Sequence, residues 1–403
     1  MQRRELLKYL AAAPLGGAAG RLIAAPAASD AKLLVVFLRG AYDCANVLVP
    51  VSSDFYYSAR PNIAIARPGQ PSGALPLDSQ WGLHPALASS VHPLFQKKEA
   101  AFIAFAGTDD LTRSHFETQD SIELGQAPDG KRDPRSGFLN RLAGVLGAGA
   151  HANVAPIAFT DLLPIALRGD AKAANMSLAS VGKSGIDDRR SQIITSMYRN
   201  TPLAQTVAEG FEVRDEVQRS VKQEMDAAGR SAMTAKGFEL VARRMARLMQ
   251  ERFDIGFVDV GGWDTHVAQG GATGVLANRL EELGRGLAGF ADELGSESWR
   301  NTVVVVISEF GRTFRENGNR GTDHGHGTVY WVLGGGLAAQ AGGQVLGEQV
   351  AVSQATLFQD RDYPVLNEYR AVFGGLFQRM YGLSRPQLDR IFAGVTPRDL
   401  KLV

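Results

Sequence analysis

Five short stretches carry the residues that could do chemistry. SEFGRT (308–313) ends a β-branched run in a carboxylate, Glu309, and sets Arg312 three residues on, a fork of donors suited to a phosphate-like or sulfate-like oxyanion. TDHGHG (322–327) spaces His324 and His326 two apart beside Asp323, with Gly325 and Gly327 leaving the backbone uncrowded. GGWDTH (261–266) gives Asp264 and His266 the same spacing, and alternate side chains of an extended segment share a face, so each pair can reach one cation. TRSHFETQ (112–119) sets Thr112, Arg113, Ser114 and His115 before a helical pattern, where amide groups and the helix dipole favour a hydroxyl nucleophile and the negative charge it develops. Ser114 and Glu117 also read as a capping box, with His115 then a ligand or a surface residue of the first turn. LRGAYDCAN (38–46) brings Asp43 and Asn46 after another apolar run, Asp43 as a ligand or as a turn-former.

Taken as ligands, Asp43, Asp264, His266, Glu309, His324 and His326 offer only oxygen and nitrogen, which suits Zn²⁺ or Mn²⁺; Ca²⁺ prefers fewer imidazoles. Cys44 is the one cysteine, so neither an intrachain disulfide nor a thiolate cluster is available. His84, before a proline that opens a helix, reads as structural, and His92 and His151 have no comparable context.

Such residues need a scaffold that gathers them over 280 positions. KLLVVFLRG (32–40), AAFIAFAG (100–107), NVAPIAF (153–159), FDIGFVDVGG (253–262) and NTVVVVISEFG (301–311) are apolar without polar alternation, the pattern of strands buried on both faces. An apolar strand also follows TDHGHG. Helical patterns at 115–125, 274–295 and 367–383 lie between or after these runs, which predicts a doubly wound, mostly parallel α/β sheet sandwiched by helices. In such sheets ligands bind beyond the carboxyl ends of the strands, where all five stretches fall. Residues 168–250 contain amphipathic helical patterns without a chemical motif and read as a helical insertion within one domain spanning 30–403.

The first 29 residues pair Arg3 and Arg4 ahead of a weakly apolar segment broken by Gly16-Gly17 and Arg21, with small residues near Ala27–Ser29 for cleavage. This resembles a twin-arginine export signal, which implies the twin-arginine machinery as a partner and a periplasmic or secreted protein without a stable membrane span after cleavage. Hydrophobic residues make up 45% and charged residues 21%, with a net charge of +1, so neither disorder nor a field for nucleic acid is indicated.

LRGAYDCANVLVP, WGLHPAL, RSHFETQD, GGWDTH, SEFGRT and TDHGHG, in this order behind a paired-arginine leader, resemble the domain of unknown function 1501 family across essentially the whole mature chain. That family is similar to the alkaline phosphatase and sulfatase superfamily, which implies a central sheet with metal at the strand ends. Carried over, Asp43 matches the aspartate after the first strand, Asp264 and His266 the ligand pair, and His324 or His326 the late histidine. Glu309 takes the place of an aspartate-histidine dyad with Phe310 where the histidine would stand, and Leu111 falls on the nucleophile position between Thr112 and Ser114. The resemblance thus implies one metal, an altered pair or none. The expected function is an exported metal-dependent hydrolase of small phosphate or sulfate esters, in which Thr112, Ser114 or a water attacks, Arg312 stabilises the charge and whichever of His324 and His326 is not a ligand acts as acid. The alternative expectation is a non-catalytic descendant that binds a periplasmic or cell-surface ligand or partner.

Overall fold

The computed structural model describes residues 30–127, 132–149, 154–178, 194–207, 209–210 and 237–403. The export signal expected over 1–29, and most of the helical pattern expected between 203 and 236, lie outside the described residues.

The strands are β1 (Lys32–Arg39), β2 (Leu48–Val49), β3 (Leu75–Pro76), β4 (Gly82–Leu83), β5 (Ala100–Gly107), β6 (Pro156–Ala158), β7 (Ala174–Asn175), β8 (Ile255–Gly261), β9 (Thr302–Ser308), β10 (Thr328–Leu333), β11 (Val345–Leu346) and β12 (Asn367–Glu368). The helices are α1 (Asp54–Ala59), α2 (Val91–Gln96), α3 (His115–Leu124), α4 (Phe138–Gly147), α5 (Phe238–Glu251), α6 (Val275–Arg300), α7 (Tyr369–Tyr381) and α8 (Arg385–Ile391). Among the described residues nine strands form one sheet in the order β11-β5-β10-β9-β1-β8-β6-β7, with β12 also on β5. All pairs are parallel except those of β10, which runs against both β9 and β5. The result is a mixed α/β architecture with a largely parallel central sheet between helices, as the apolar runs predict. The reversed β10 and the small antiparallel sheet β2-β4-β3 were not legible in those runs.

Why both faces of β1 are apolar is visible in the core. Its period of two sends Leu33, Val35 and Phe37 toward Leu142 of α4, Phe373 of α7 and Ile391 of α8, and sends Leu34, Val36 and Leu38 toward Met245 of α5 and Leu280 and Leu287 of α6. Each such side chain stabilises the fold by roughly 1.5–3 kcal/mol relative to exposure. Among the described residues no helix is long and apolar enough to cross a membrane.

Register brings the chemistry to one rim. Leu38 of β1 stands level with Val260 of β8 and Ser308 of β9, so Gly40, Gly262 and Glu309 emerge together beyond the carboxyl ends. Because β10 is reversed, the segment that precedes it starts at this same rim, and α3 follows β5 there.

Candidate metal centre

Three imidazoles meet at the rim. His115 Nε2 lies 2.9 Å from His324 Nε2, and His266 Nε2 lies 3.1 Å from the same atom. Asp264 Oδ1 stands 2.8 Å from His266 Nε2, 3.5 Å from His324 Nε2 and 3.7 Å from His115 Nε2. His115, Asp264 and His324 form a possible metal-binding triad, each offering a ligand atom within 4.8 Å of the others.

The opposite nitrogen of every ring is already committed. His115 Nδ1 donates to Glu309 Oε1 at 2.7 Å, His266 Nδ1 to Asp323 Oδ1 at 3.0 Å and His324 Nδ1 to the Arg113 carbonyl at 3.0 Å. A neutral imidazole has one N–H, so with the proton on Nδ1 each Nε2 turns a lone pair inward. Lone pairs that face one another at about 3 Å repel unless a cation stands between them, and ligating histidines in general give their other N–H to a carboxylate or carbonyl. Tetrahedral ligands at about 2.0–2.1 Å from a zinc ion stand about 3.3 Å apart. Within the His115, Asp264 and His324 triad the separations of 2.9, 3.5 and 3.7 Å straddle that spacing, and His266 Nε2 adjoins it at 2.8 Å from Asp264 Oδ1 and 3.1 Å from His324 Nε2. The residues present therefore fit one divalent cation.

The surroundings hold the charges in place. Glu309 is fully buried, and Oε1 accepts from Gly40 N, His115 Nδ1 and Gln119 Nε2 while Oε2 accepts from Ser308 Oγ. Burial alone pushes this carboxyl's pKa up, but the bonds from His115 and Gln119 and the backbone amides outweigh it and keep it below the ordinary value. The same bond to Glu309 raises His115, whereas burial and the neighbouring His115 charge lower His324. Asp264 is likewise held low: burial opposes, but the Arg312 guanidinium at 2.6 Å and the two imidazoles prevail. Phe310 stacks on His115 with centroids 5.0 Å apart and also faces His324, walling the rings with apolar surface.

Of the residues singled out in the sequence, the structure brings together His115, Asp264, His266 and His324, with Arg312 and Glu309 in contact with them. Glu309 reaches the cluster through the far nitrogen of His115, and its oxygens are filled by donors. Arg312 is buried and spent on Asp264 and on Thr322, whose carbonyl accepts from Nη2, so it serves the carboxylate and not an open oxyanion position. Asp43 is placed elsewhere, in a buried bidentate pair with Arg60 and bonded to Gln269 Nε2. The Thr112 hydroxyl accepts from Ser114 N within a local turn, and Ser114 precedes α3 without a side-chain capping bond, so the capping-box expectation does not hold. Leu111 is half exposed and offers no polar atom. His84 caps the short turn after it and contacts the Gly271 carbonyl, a structural role.

His326 turns away from the cluster, buried against Phe358 with centroids 4.9 Å apart. Burial, aided by the Arg113 charge, lowers its pKa to about 4. An unfolded histidine titrates near ~6.5, so between ~6.5 and about 4 the unfolded chain takes up a proton that the native state refuses. Stability is expected to fall across that window as pH falls, by up to about 3 kcal/mol, and to be independent of this group above it. Denaturant titrations of wild type and His326→Phe as a function of pH check this; equal slopes for the two would contradict it.

Arg113, Gln119, Arg361 and Asp362 support the cluster without having been singled out as ligands. The one local signal was spacing: His115 and Gln119 stand four apart on one face of α3, and both donate to Glu309.

No curated protein shows significant similarity to this chain. Among solved structures it is similar to Ps i-CgsB in complex with k-i-k-neocarrahexaose, with TM-score 0.43 and 10% identity over 91% of this chain and 75% of that one. It is also similar to a second crystal structure of Ps i-CgsB, with TM-score 0.35 at the same identity and coverage. Likeness this distant carries no argument about fold or activity. The sequence itself says more: residues 30–392 match the model of a protein family of unknown function, and the chain belongs to that family, DUF1501.

Proposed function

We propose that this protein is a metal-dependent hydrolase of phosphate or sulfate esters, carried on an alkaline-phosphatase-like form of the sheet and acting in the periplasm or outside the cell after twin-arginine export. The observation that carries this reading is the triad of His115, Asp264 and His324, with His266 Nε2 beside it and every Nδ1 already bonded. An all-nitrogen-and-oxygen set of this kind suits Zn²⁺ or Mn²⁺. When bound there, the cation supplies charge neutralisation for an anionic ester and acidifies a water.

The chain's own residues do the rest. His115, His266, His324 and Asp264 hold the ion; Glu309 and Asp323 fix two of the rings; Arg312 keeps Asp264 ionised; Phe310 excludes water from one side. A water is the attacking oxygen of this reading, since Leu111, which has no hydroxyl, falls on the nucleophile position implied by the family resemblance and Thr112 and Ser114 only flank it. His326, buried against Phe358 and turned from the cluster, is not placed to act as the acid.

Leu111 also favours a second reading, a catalytically degenerate protein that keeps the fold to bind a ligand or partner. The two separate in one assay. Protein purified without chelator is expected to turn over an aryl phosphate or aryl sulfate, to lose turnover on chelation and to regain it with Zn²⁺ or Mn²⁺. Turnover of neither ester by metal-loaded protein favours the second reading.

A further inference from the structure

One buried carboxylate, Asp362, gathers the two arginines that grip His324. Its Oδ2 accepts from Arg113 Nε at 3.0 Å and Arg113 Nη2 at 2.7 Å, and Arg361 Nη1 lies 3.5 Å away. Arg113 in turn offers its carbonyl to His324 Nδ1 at 3.0 Å, while Arg361 Nη2 donates to the His324 carbonyl at 2.8 Å. The histidine is thus held at its ring and at its backbone by residues that share one anchor.

The anchor is unusual in two ways. Asp362 is fully buried with Oδ1 lacking any partner, so its second oxygen is desolvated without return and the carboxylate is not there for stability alone. Arg113 sits in the left-handed region at φ 52°, as do Gln359 and Asp360 at 53° and 55°, although none is glycine. Such backbone persists where neighbours over-determine it, and here Arg113 is fixed by Asp362 and by Gln359 Oε1, which accepts from Nη2 at 2.7 Å. The left-handed turn is what aims the Arg113 carbonyl at His324.

We propose that Asp362 is a positioning residue: through Arg113 and Arg361 it sets the orientation of His324 and thereby the affinity and geometry of the cation site. The inference deepens the metal-dependent reading and rests on it. Asp362→Asn keeps the volume and one acceptor but removes the charge that collects the arginines. In the full-length protein it is expected to weaken Zn²⁺ binding, measured by chelator competition, by about 10- to 100-fold. The absorption bands of the Co²⁺-substituted protein are expected to shift as well, a readout that a loss of fold stability alone does not move. Arg361→Met, which frees the His324 carbonyl and takes one arginine from Asp362 but leaves Arg113 and its hold on the His324 ring, is expected to give a smaller loss in the same direction and serves if Asp362→Asn does not fold. Wild-type Zn²⁺ affinity and Co²⁺ spectrum in the folded variants would overturn the proposal.

Nitrogen-15 histidine labelling of metal-free protein decides independently of the ion. The His324 Nδ1–H resonance is expected to be sharp and slowly exchanging in wild type, and to broaden or change tautomer in Asp362→Asn. An unchanged resonance would overturn the positioning role, whereas failure of wild type to bind Zn²⁺ with this resonance still perturbed would sink only the metal reading.

Discussion

Alanine at position 324 is expected to abolish tight metal binding, lowering Zn²⁺ affinity by more than about 100-fold, because His324 Nε2 is the atom closest to both other imidazoles. Losing a partner of a ligand costs about 10- to 100-fold in affinity, so losing the ligand must cost more; Glu309→Gln, which weakens the hold on His115 and on the donors around it but removes no ligand, provides the comparison. The fold should survive: the His324 side chain is 29% exposed, and its removal forfeits one hydrogen bond, worth about 1 kcal/mol. Protons compete for the same nitrogens. His115 has its pKa raised by Glu309 and His324 has its own lowered by burial, so His115 is blocked before His324 as pH falls, and wild-type affinity is expected to decline as pH is lowered. Chelator competition across pH on wild type, His324→Ala and Glu309→Gln tests all three statements; equal affinities in wild type and His324→Ala would remove the histidine from the site.

Arg60→Met is expected to destabilise the protein by about 3–5 kcal/mol, the usual cost of leaving a buried charge without its partner. Arg60 and Asp43 are both essentially inaccessible and are joined by bonds of 2.5 and 3.0 Å. The guanidinium also donates to the carbonyls of Phe314 and Thr313, which lose this donor, and to Asn46 Oδ1, which keeps the Tyr56 hydroxyl. Asp43 would keep only Gln269, whose other end accepts from Thr265 and Thr322 beside Arg312, so loosening the pair also slackens the frame behind Asp264. Replacing both members, in Arg60→Met with Asp43→Leu, is expected to recover much of the loss, since two apolar groups need no compensation. Denaturant unfolding reads these values; a single-variant loss under about 1 kcal/mol would mean the pair is not the structural pin described.

These two residues mark where sequence reading stops. Asp43 reads as a ligand or a turn-former because it follows a buried strand, but its partners Arg60 and Gln269 lie 17 and 226 positions away and no local pattern ties them to it. His324 and His326 share a face only if the segment is a straight strand. In the structure Arg312 and His324 form an isolated bridge, and His326 rotates onto Phe358, so spacing alone could not separate the inward ring from the buried one. The central sheet was legible because strands buried on both faces need unbroken apolar runs, and β1, β5, β8 and β9 keep them. The reversal of β10 was not, since TVYWVL is equally apolar in either direction.

The central claim is that the three imidazoles and Asp264 hold one ion. Anomalous diffraction at the zinc edge from crystals grown with Zn²⁺ tests it most directly. The account predicts a single strong peak at about 2.0–2.2 Å from Nε2 of His115, His266 and His324 and from Oδ1 of Asp264. A peak at any other place, or none with the four side chains as they stand, would contradict it.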